Sequence, residues 1–318
     1  MIDLSNKKVL LVRNDNIGDL ICTTPAIEAL RKKYPSAQID IVVNSYNEDA
    51  IKENPFINKT YIYTKPKHKK GLVEKIKAAF GKLKILVQII SEGYDAVVIF
   101  RGGYSKSAEL FSTLSRAHYK IGVQNKNGKD GFTTHIIPNP NTHEVMFCFE
   151  CLKPFGVIYA GEGTRYFIPA EMIQKYTPYQ NAILFHISSR ITENRYPKEK
   201  FKEIIDALKG KEVVISAEPV DFAQARWLAE NTQAEFIKTS SLNDLGGLIA
   251  NVKLFVTLDG GAMHLAPALG TKTIALSGKT NMNQWHPWGY AHLVLQDESK
   301  RAENISIATI LKTIQENL

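Results

Sequence analysis

Apolar and polar positions fall into two alternating rhythms along the chain. Short runs rich in β-branched residues sit between longer stretches in which apolar residues recur every three or four positions, the spacing of one helical face. In the first half the short runs are Lys8 to Val12, Gln38 to Val43, Asp95 to Phe100 and Tyr119 to Val123. Such alternation predicts βαβ units on a parallel sheet. The rhythm breaks at LKPFGVIYAGEGTRYFIPA, a proline- and glycine-rich stretch that reads as a crossing linker. A second series follows, with strands expected at Ala182 to Ile187, Glu212 to Ser216, Ala234 to Ile237, Leu254 to Leu258 and Lys272 to Leu276. Helices such as Phe222 to Ala229 and Leu242 to Ala250 separate them. The economical architecture is α/β: two doubly wound domains, residues 1–158 and 159–318, facing one another across a cleft, with the last helix free to pack back on the first domain. Ligands of such sheets bind beyond the carboxyl ends of the strands, so the loops after strands are where chemistry is sought.

Composition narrows the class. A chain of 318 residues, 44% hydrophobic and 23% charged, is long enough for two cores and excludes disordered, collagen-like and disulfide-scaffold proteins. Three cysteines, Cys22, Cys148 and Cys151, suggest reduced thiols in a cytosolic compartment. No secretory leader and no run of eighteen apolar residues is visible, so no membrane span is expected.

The net charge of +8 is concentrated. Between Thr64 and Lys84 eight lysines (Lys65, Lys67, Lys69, Lys70, Lys75, Lys77, Lys82, Lys84) stand against one acid, Glu74. The basic balance therefore describes one patch facing an anionic partner, or a solvated face, and not a nucleic-acid binder. From Leu72 the apolar residues Leu72, Val73, Ile76, Ala79, Phe80, Leu83, Leu86 and Val87 recur at three and four, which predicts an amphipathic helix with its lysines on the wet face. An anionic lipid or phosphorylated glycolipid surface would suit it.

Two loops carry candidate chemistry. RNDNIGDLICTTPAI follows the strand ending at Val12; Asn14, Asp15, Asn16 and Gly18 suit a turn, and Asp19 is expected at the rim of the sheet, pointing into the cleft. Asp19 there is either a catalytic carboxylate or, like Asp15, a helix cap. TLDGGAMHLAPALG follows the strand ending at Leu258. A glycine pair opening a helix leaves backbone N–H groups aimed at whatever sits over the helix start, a cradle for a diphosphate. His264 lies one turn past Gly260 and either donates to a phosphate oxygen or simply packs; Asp259 can orient the loop by accepting from its amides. No GxGxxG or GxxxxGK[ST] is present. Cys148 and Cys151, with His135 and His143 upstream, resemble half a zinc site, but without a second pair the helix reads as core. The cluster Trp285, His286, Pro287 and Trp288 reads as a packed loop closing over a pocket, or as one that touches a bound ligand directly.

Two long stretches, RNDNIGDLICTTPA (Arg13 to Ala26) and DGGAMHLAPALGTKTIALSGKTNMNQWHP (Asp259 to Pro287), together resemble glycosyltransferase family 9, the ADP-heptose:lipopolysaccharide heptosyltransferases and their relatives. The THEVMFCFECLKPFG and HISSRITENRYPKEKF segments fit the family in order and spacing, so the resemblance runs over nearly the whole chain. It implies a GT-B architecture, with the acceptor held mainly by the N-terminal domain and the nucleotide-sugar by the C-terminal one. It further implies inversion without a metal or other cofactor. Asp19 matches the catalytic aspartate of the GD pair. Gly260, Gly261, Ala262 and His264 match the diphosphate loop, Ser188 and Ser189 a hydroxyl pair on phosphate, and Asp221 an acid on the ribose. The family usually has serine or threonine where Gly260 stands, and its phosphate-binding lysine falls on Asn194, with Arg195 next door as the nearest cation.

The basic stretch from Lys65 to Lys84 occupies the region where relatives grip the phosphates of their lipid A-type acceptor; Lys65, Lys67, Lys69, Lys70, Arg101 and Lys106 form the expected acceptor set. The implied function is transfer of heptose from ADP-heptose to a lipopolysaccharide-type core, in the cytoplasm at the inner face of a bacterial inner membrane. The alternatives are a same-family transferase using another nucleotide-hexose, and a degenerate member that binds anionic glycolipid without transfer.

Overall fold

The computed structural model describes residues 1–65 and 71–318. Lys67, Lys69 and Lys70 of the expected acceptor set lie outside the described residues. The chain divides into two compact units, Met1–Thr164 and Arg165–Leu318.

The first unit runs β1 (Lys8–Val12), α1 (Ile17–Lys33), β2 (Gln38–Asn44), β3 (Lys59–Tyr63), α2 (Leu72–Glu92), β4 (Ala96–Ile99), α3 (Lys106–Leu114), β5 (Tyr119–Val123), β6 (Thr134–Ile136) and α4 (Glu144–Leu152). Its sheet is parallel throughout, in the order β3-β2-β1-β4-β5-β6. β1 lies at the centre, with Val12 opposite both Val42 and Ile99. Its apolar positions are buried on both sides, as central strands of a parallel sheet must be. α1 is buried almost all round from Leu20 to Leu30 and packs against α4.

The second unit runs α5 (Ala170–Lys175), β7 (Ile183–His186), α6 (Lys198–Ala207), β8 (Val213–Ser216), α7 (Phe222–Asn231), β9 (Glu235–Phe236), α8 (Leu242–Asn251), β10 (Leu254–Leu258), α9 (Gly261–Ala268), β11 (Thr273–Ser277), α10 (Met282–Trp285), β12 (Val294–Gln296) and α11 (Ile307–Asn317). Its order, β12-β11-β10-β7-β8-β9, repeats the winding of the first sheet. Ile183, Phe185, Ile215 and Val256 form its core with Phe201, Ile204 and Ile205 of α6. The last helix also packs there, through Ile310 and Ile314.

All nine expected strands are present. Among the described residues three further strands, β3, β6 and β12, lie at sheet edges, where one side of the ladder is open and the apolar signal is diluted. β3 reads KTYIY, with Tyr61 and Tyr63 buried and Ile62 outward.

One expectation about α2 is corrected. Most residues that set its predicted apolar stripe do not face the core: Leu72, Val73, Ile76, Phe80, Leu83 and Val87 are exposed, while Leu86 packs against the core cluster. The helix instead seats Ala78, Ile85 and Ile89 against the unit. Periodicity identifies an apolar face without saying what covers it, and α2 has two such faces. Leaving Phe80 and Leu83 in water forgoes about 1.5–3 kcal/mol apiece.

Candidate active site

In each unit the strand order reverses beside the first strand, between β1 and β4 and between β7 and β10. Such a reversal opens a crevice beyond the carboxyl ends of those two strands, because their following connections depart to opposite faces. Both loops singled out in the sequence leave the sheet there, one after β1 and one after β10.

In the first unit the crevice is organised by Arg13, which is fully buried despite its charge. Its NH2 group donates to Asp19 Oδ1 at 2.8 Å and its NH1 group to Glu144 Oε1 at 2.7 Å, and NH1 also donates to the Phe100 carbonyl. Its Nε stands 2.9 Å from Asp15 Oδ1, an ion pair out of line for a hydrogen bond. Burial opposes the guanidinium charge, yet the attraction of Asp15, Glu144 and Asp19 outweighs it and holds Arg13 protonated. Asp15 responds in the other direction: burial pushes its carboxyl up to about 6, against the pull of Arg13 and with the charge of Asp19 adding to the rise.

Asp19 lies in the first turn of α1, where the helix dipole favours a carboxylate, and it keeps partial access to solvent. Arg101, just beyond β4, approaches Asp15 Oδ2 at 3.3 Å and Asn14 Oδ1 at 3.4 Å. Lys65, just beyond β3, donates from Nζ to the Asn14 carbonyl at 2.5 Å, while Asn14 Nδ2 donates to the Tyr63 hydroxyl. The sheet therefore gathers Asp19, Arg101 and Lys65 around one loop. Lys106 is exposed as the first residue of α3.

In the second unit the loop after β7 and the loop after β10 are laced together. Ser189 Oγ donates to the Asp259 carbonyl at 2.8 Å, and Ser188 Oγ accepts from the Glu218 amide at 2.8 Å. Gly260 precedes α9 with φ 168° and ψ −172°, extended backbone that any residue adopts. A Cβ added there would meet nothing closer than the Ser188 carbonyl at 4.0 Å. Gly261 and Ala262 form the first turn of α9, whose leading amides have no partner within the helix. His264 is buried one turn on and meets the Trp285 ring edge to face at 6.1 Å.

Arg195 and Asp221 were expected to serve the donor separately, but in this structure they engage each other. The guanidinium forks onto the carboxylate at 3.0 and 3.1 Å, and its Nε donates to the Ser189 carbonyl. Asn194 is completely buried and acts as a knot. Its Nδ2 donates to Asp259 Oδ2 at 2.6 Å and to Thr280 Oγ1 at 2.9 Å, and its Oδ1 accepts from the Gly278 and Lys279 amides. Burial raises the Asp259 carboxyl against the stabilising bond from Thr280.

Sequence reading assigned no role to Arg13, Glu144, Thr280 or Gly278. All four lie inside quoted stretches, so a signal existed; Glu144, in THEVMFCFECLKPFG, is still an ordinary acid at a helix start until the fold brings it to Arg13. Glu218 was also missed; it follows β8, the second strand of its unit, where doubly wound nucleotide-binding sheets carry a ribose-reading acid. Cys22, Cys148 and Cys151 are buried thiols, all pushed up in pKa by burial, and the burial of Cys148 and Cys151 matches the core reading of their helix, α4.

A family model described as glycosyltransferase family 9 (heptosyltransferase) matches residues 84–314. A lipopolysaccharide heptosyltransferase 3 of Escherichia coli is 28% identical over 290 residues, which cover 85% of this chain and 83% of that protein. Among solved structures, a glycosyl transferase family 9 protein from Veillonella parvula superposes with TM-score 0.86 at 21% identity, over 99% of this chain and 98% of that one. The E. coli heptosyltransferase WaaC, solved with ADP-2-deoxy-2-fluoro heptose, superposes with TM-score 0.80 at 20% identity, over 98% of this chain and 100% of its own.

Proposed function

The chain belongs to glycosyltransferase family 9, with the paired Rossmann-like units of the GT-B fold, and from that premise we propose that it transfers heptose from ADP-heptose to a lipopolysaccharide-type core acceptor. The proposed reaction is metal-independent and inverting, at the cytoplasmic face of a bacterial inner membrane. The observation that carries the reading is the chemistry at the two strand reversals: a partly accessible carboxylate held by a buried arginine at one, and a glycine-led helix start at the other.

Asp19 takes the proton from an acceptor hydroxyl as that oxygen attacks the anomeric carbon. Arg13 fixes the orientation of the carboxylate, and Lys65 and Arg101 supply positive charge for an anionic acceptor. As the bond to the donor breaks, negative charge grows on the departing diphosphate. The amides of Gly260, Gly261 and Ala262 and the dipole of α9 stabilise that charge more than they stabilise the intact donor. Ser188, whose Oγ accepts from a backbone amide, directs its own proton to phosphate; Ser189 and Arg195 hold the loop in shape. The carboxylate for the ribose is Glu218 or Asp221, the latter only on release from Arg195.

The test is release of ADP from ADP-heptose in the presence of acceptor, with wild type and Asp19→Ala. The substitution should lower turnover by about 10²- to 10⁴-fold while ADP still raises the melting temperature. Turnover that survives the substitution removes Asp19 as the base. The absence of a lysine at position 194 supports a second reading, a same-family transferase with another nucleotide-hexose; a larger melting shift with UDP- or GDP-sugars than with ADP-sugars would favour it.

A further inference from the structure

The exposed face of α2 has an internal order that solvation alone does not require. At 100° per residue, Leu72, Ile76, Phe80, Leu83 and Val87 fall on one stripe, almost opposite the buried Ala78, Ile85 and Ile89. The outward residues are substantially bare, with Leu72 74%, Phe80 67% and Leu83 54% exposed. Lysines border the stripe on both sides, Lys75 and Lys82 along one flank and Lys77 and Lys84 along the other. Lys82 turns inward over the Tyr63 and Phe111 rings, and Lys77 stays exposed beside Glu74. Apolar in the middle and cationic at both edges is the cross-section of a helix that lies in a bilayer interface, with aliphatic lysine stems along the apolar zone and ammonium groups among anionic headgroups.

We infer that α2 docks this chain onto an anionic lipid bilayer, its stripe from Leu72 to Val87 entering the acyl boundary and Lys75, Lys77 and Lys84 meeting the headgroups. A second copy of the chain is a poorer occupant. A two-fold pairing of the stripe with itself would set lysine flanks against lysine flanks, with Glu74 the single acid among them. The inference rests on the transferase reading for its purpose, delivery of the site to a lipid-linked acceptor, and on the helix alone for its argument.

The experiment is sedimentation of the full chain with vesicles of phosphatidylethanolamine and phosphatidylglycerol, against vesicles of phosphatidylcholine, both without glycolipid. Wild type should bind the anionic vesicles about tenfold more tightly or better, and added salt should weaken that binding. The variant Phe80→Gln with Leu83→Gln and Val87→Gln, and the variant Lys75→Gln with Lys77→Gln and Lys84→Gln, should each lose about tenfold or more. Both leave Ala78, Ile85 and Ile89 in place, so melting temperature and the shift caused by ADP should match wild type. Equal binding by wild type and both variants overturns the inference. So does a vesicle-independent dimer, seen by sedimentation velocity, that the glutamine variant of the stripe abolishes. Because no sugar moves in this assay, failed transfer leaves a positive result standing, and failed sedimentation leaves the transfer reading untouched.

Discussion

Asn194 donates through Nδ2 to Asp259 Oδ2 across 2.6 Å, tying the turn after β7 to the loop that opens α9. The same amide holds Thr280 and the backbone of Gly278 and Lys279, so three separate loops of the second unit meet on one side chain. A lysine could pair with Asp259 from this position but has no acceptor to offer the two amides.

Asn194→Ala should therefore destabilise the second unit by about 2–4 kcal/mol, since it strands two amides and takes one donor from the buried Asp259 carboxylate, leaving it the Thr280 hydroxyl. Denaturant unfolding checks this. A loss under about 1 kcal/mol would show that the knot is dispensable.

Gly260→Ser should be accepted without strain, because the backbone is extended and the added Cβ has room. The hydroxyl can cap α9 and donate to a diphosphate, so stability should rise by a few tenths of a kcal/mol and ADP should bind up to about tenfold more tightly. Calorimetric titration with ADP reads the effect. Weaker binding would mean that the amides, and not a hydroxyl, need that space.

His186 ends β7 with its ring buried and Nδ1 at 3.0 Å from Ser216 Oγ. Burial lowers its pKa to about 4 from 6.5. The unfolded chain thus takes up a proton first, so this contribution to stability is complete above about pH 6.5 and is lost as pH falls toward 4. His186→Gln should remove up to about 3 kcal/mol of that slope, read as unfolding free energy against pH.

Asp15 works in the opposite sense in the first unit. Its carboxyl is raised to about 6, so the folded chain takes up the proton first and acidification from neutrality favours the fold through this group. Asp15→Asn should stabilise the first unit at pH 7 by up to about 2 kcal/mol and flatten its response between pH 6 and 4. A destabilised variant would show that the Asp15 charge is required by Arg13 and Arg101.

Much of this was legible in the chain before any fold was known. Leu254–Leu258 and Lys8–Val12 stand at their expected bounds, and Asp19 and Gly260 lie at the loops that strand endings pointed to. β3 escaped because the aromatic alternation of its KTYIY run was read as part of a helical interval, and β6 and β12 because three residues at an edge carry little pattern. The partners of cations are less legible: Arg195 is expected on phosphate, and its guanidinium also meets Asp221 and the Ser189 carbonyl, partners that no spacing rule links to it.

By itself the sequence determined the parallel βαβ winding and the positions of the loops that follow β1 and β10, because these follow from local period and from turn residues at strand ends. Only the tertiary structure decided which charges cancel and which face of a helix stays wet. The meeting of Arg13 with Glu144, the knot at Asn194 and the bare stripe on α2 depend on what stands opposite each side chain, and in a wound sheet that neighbour comes from a distant part of the chain.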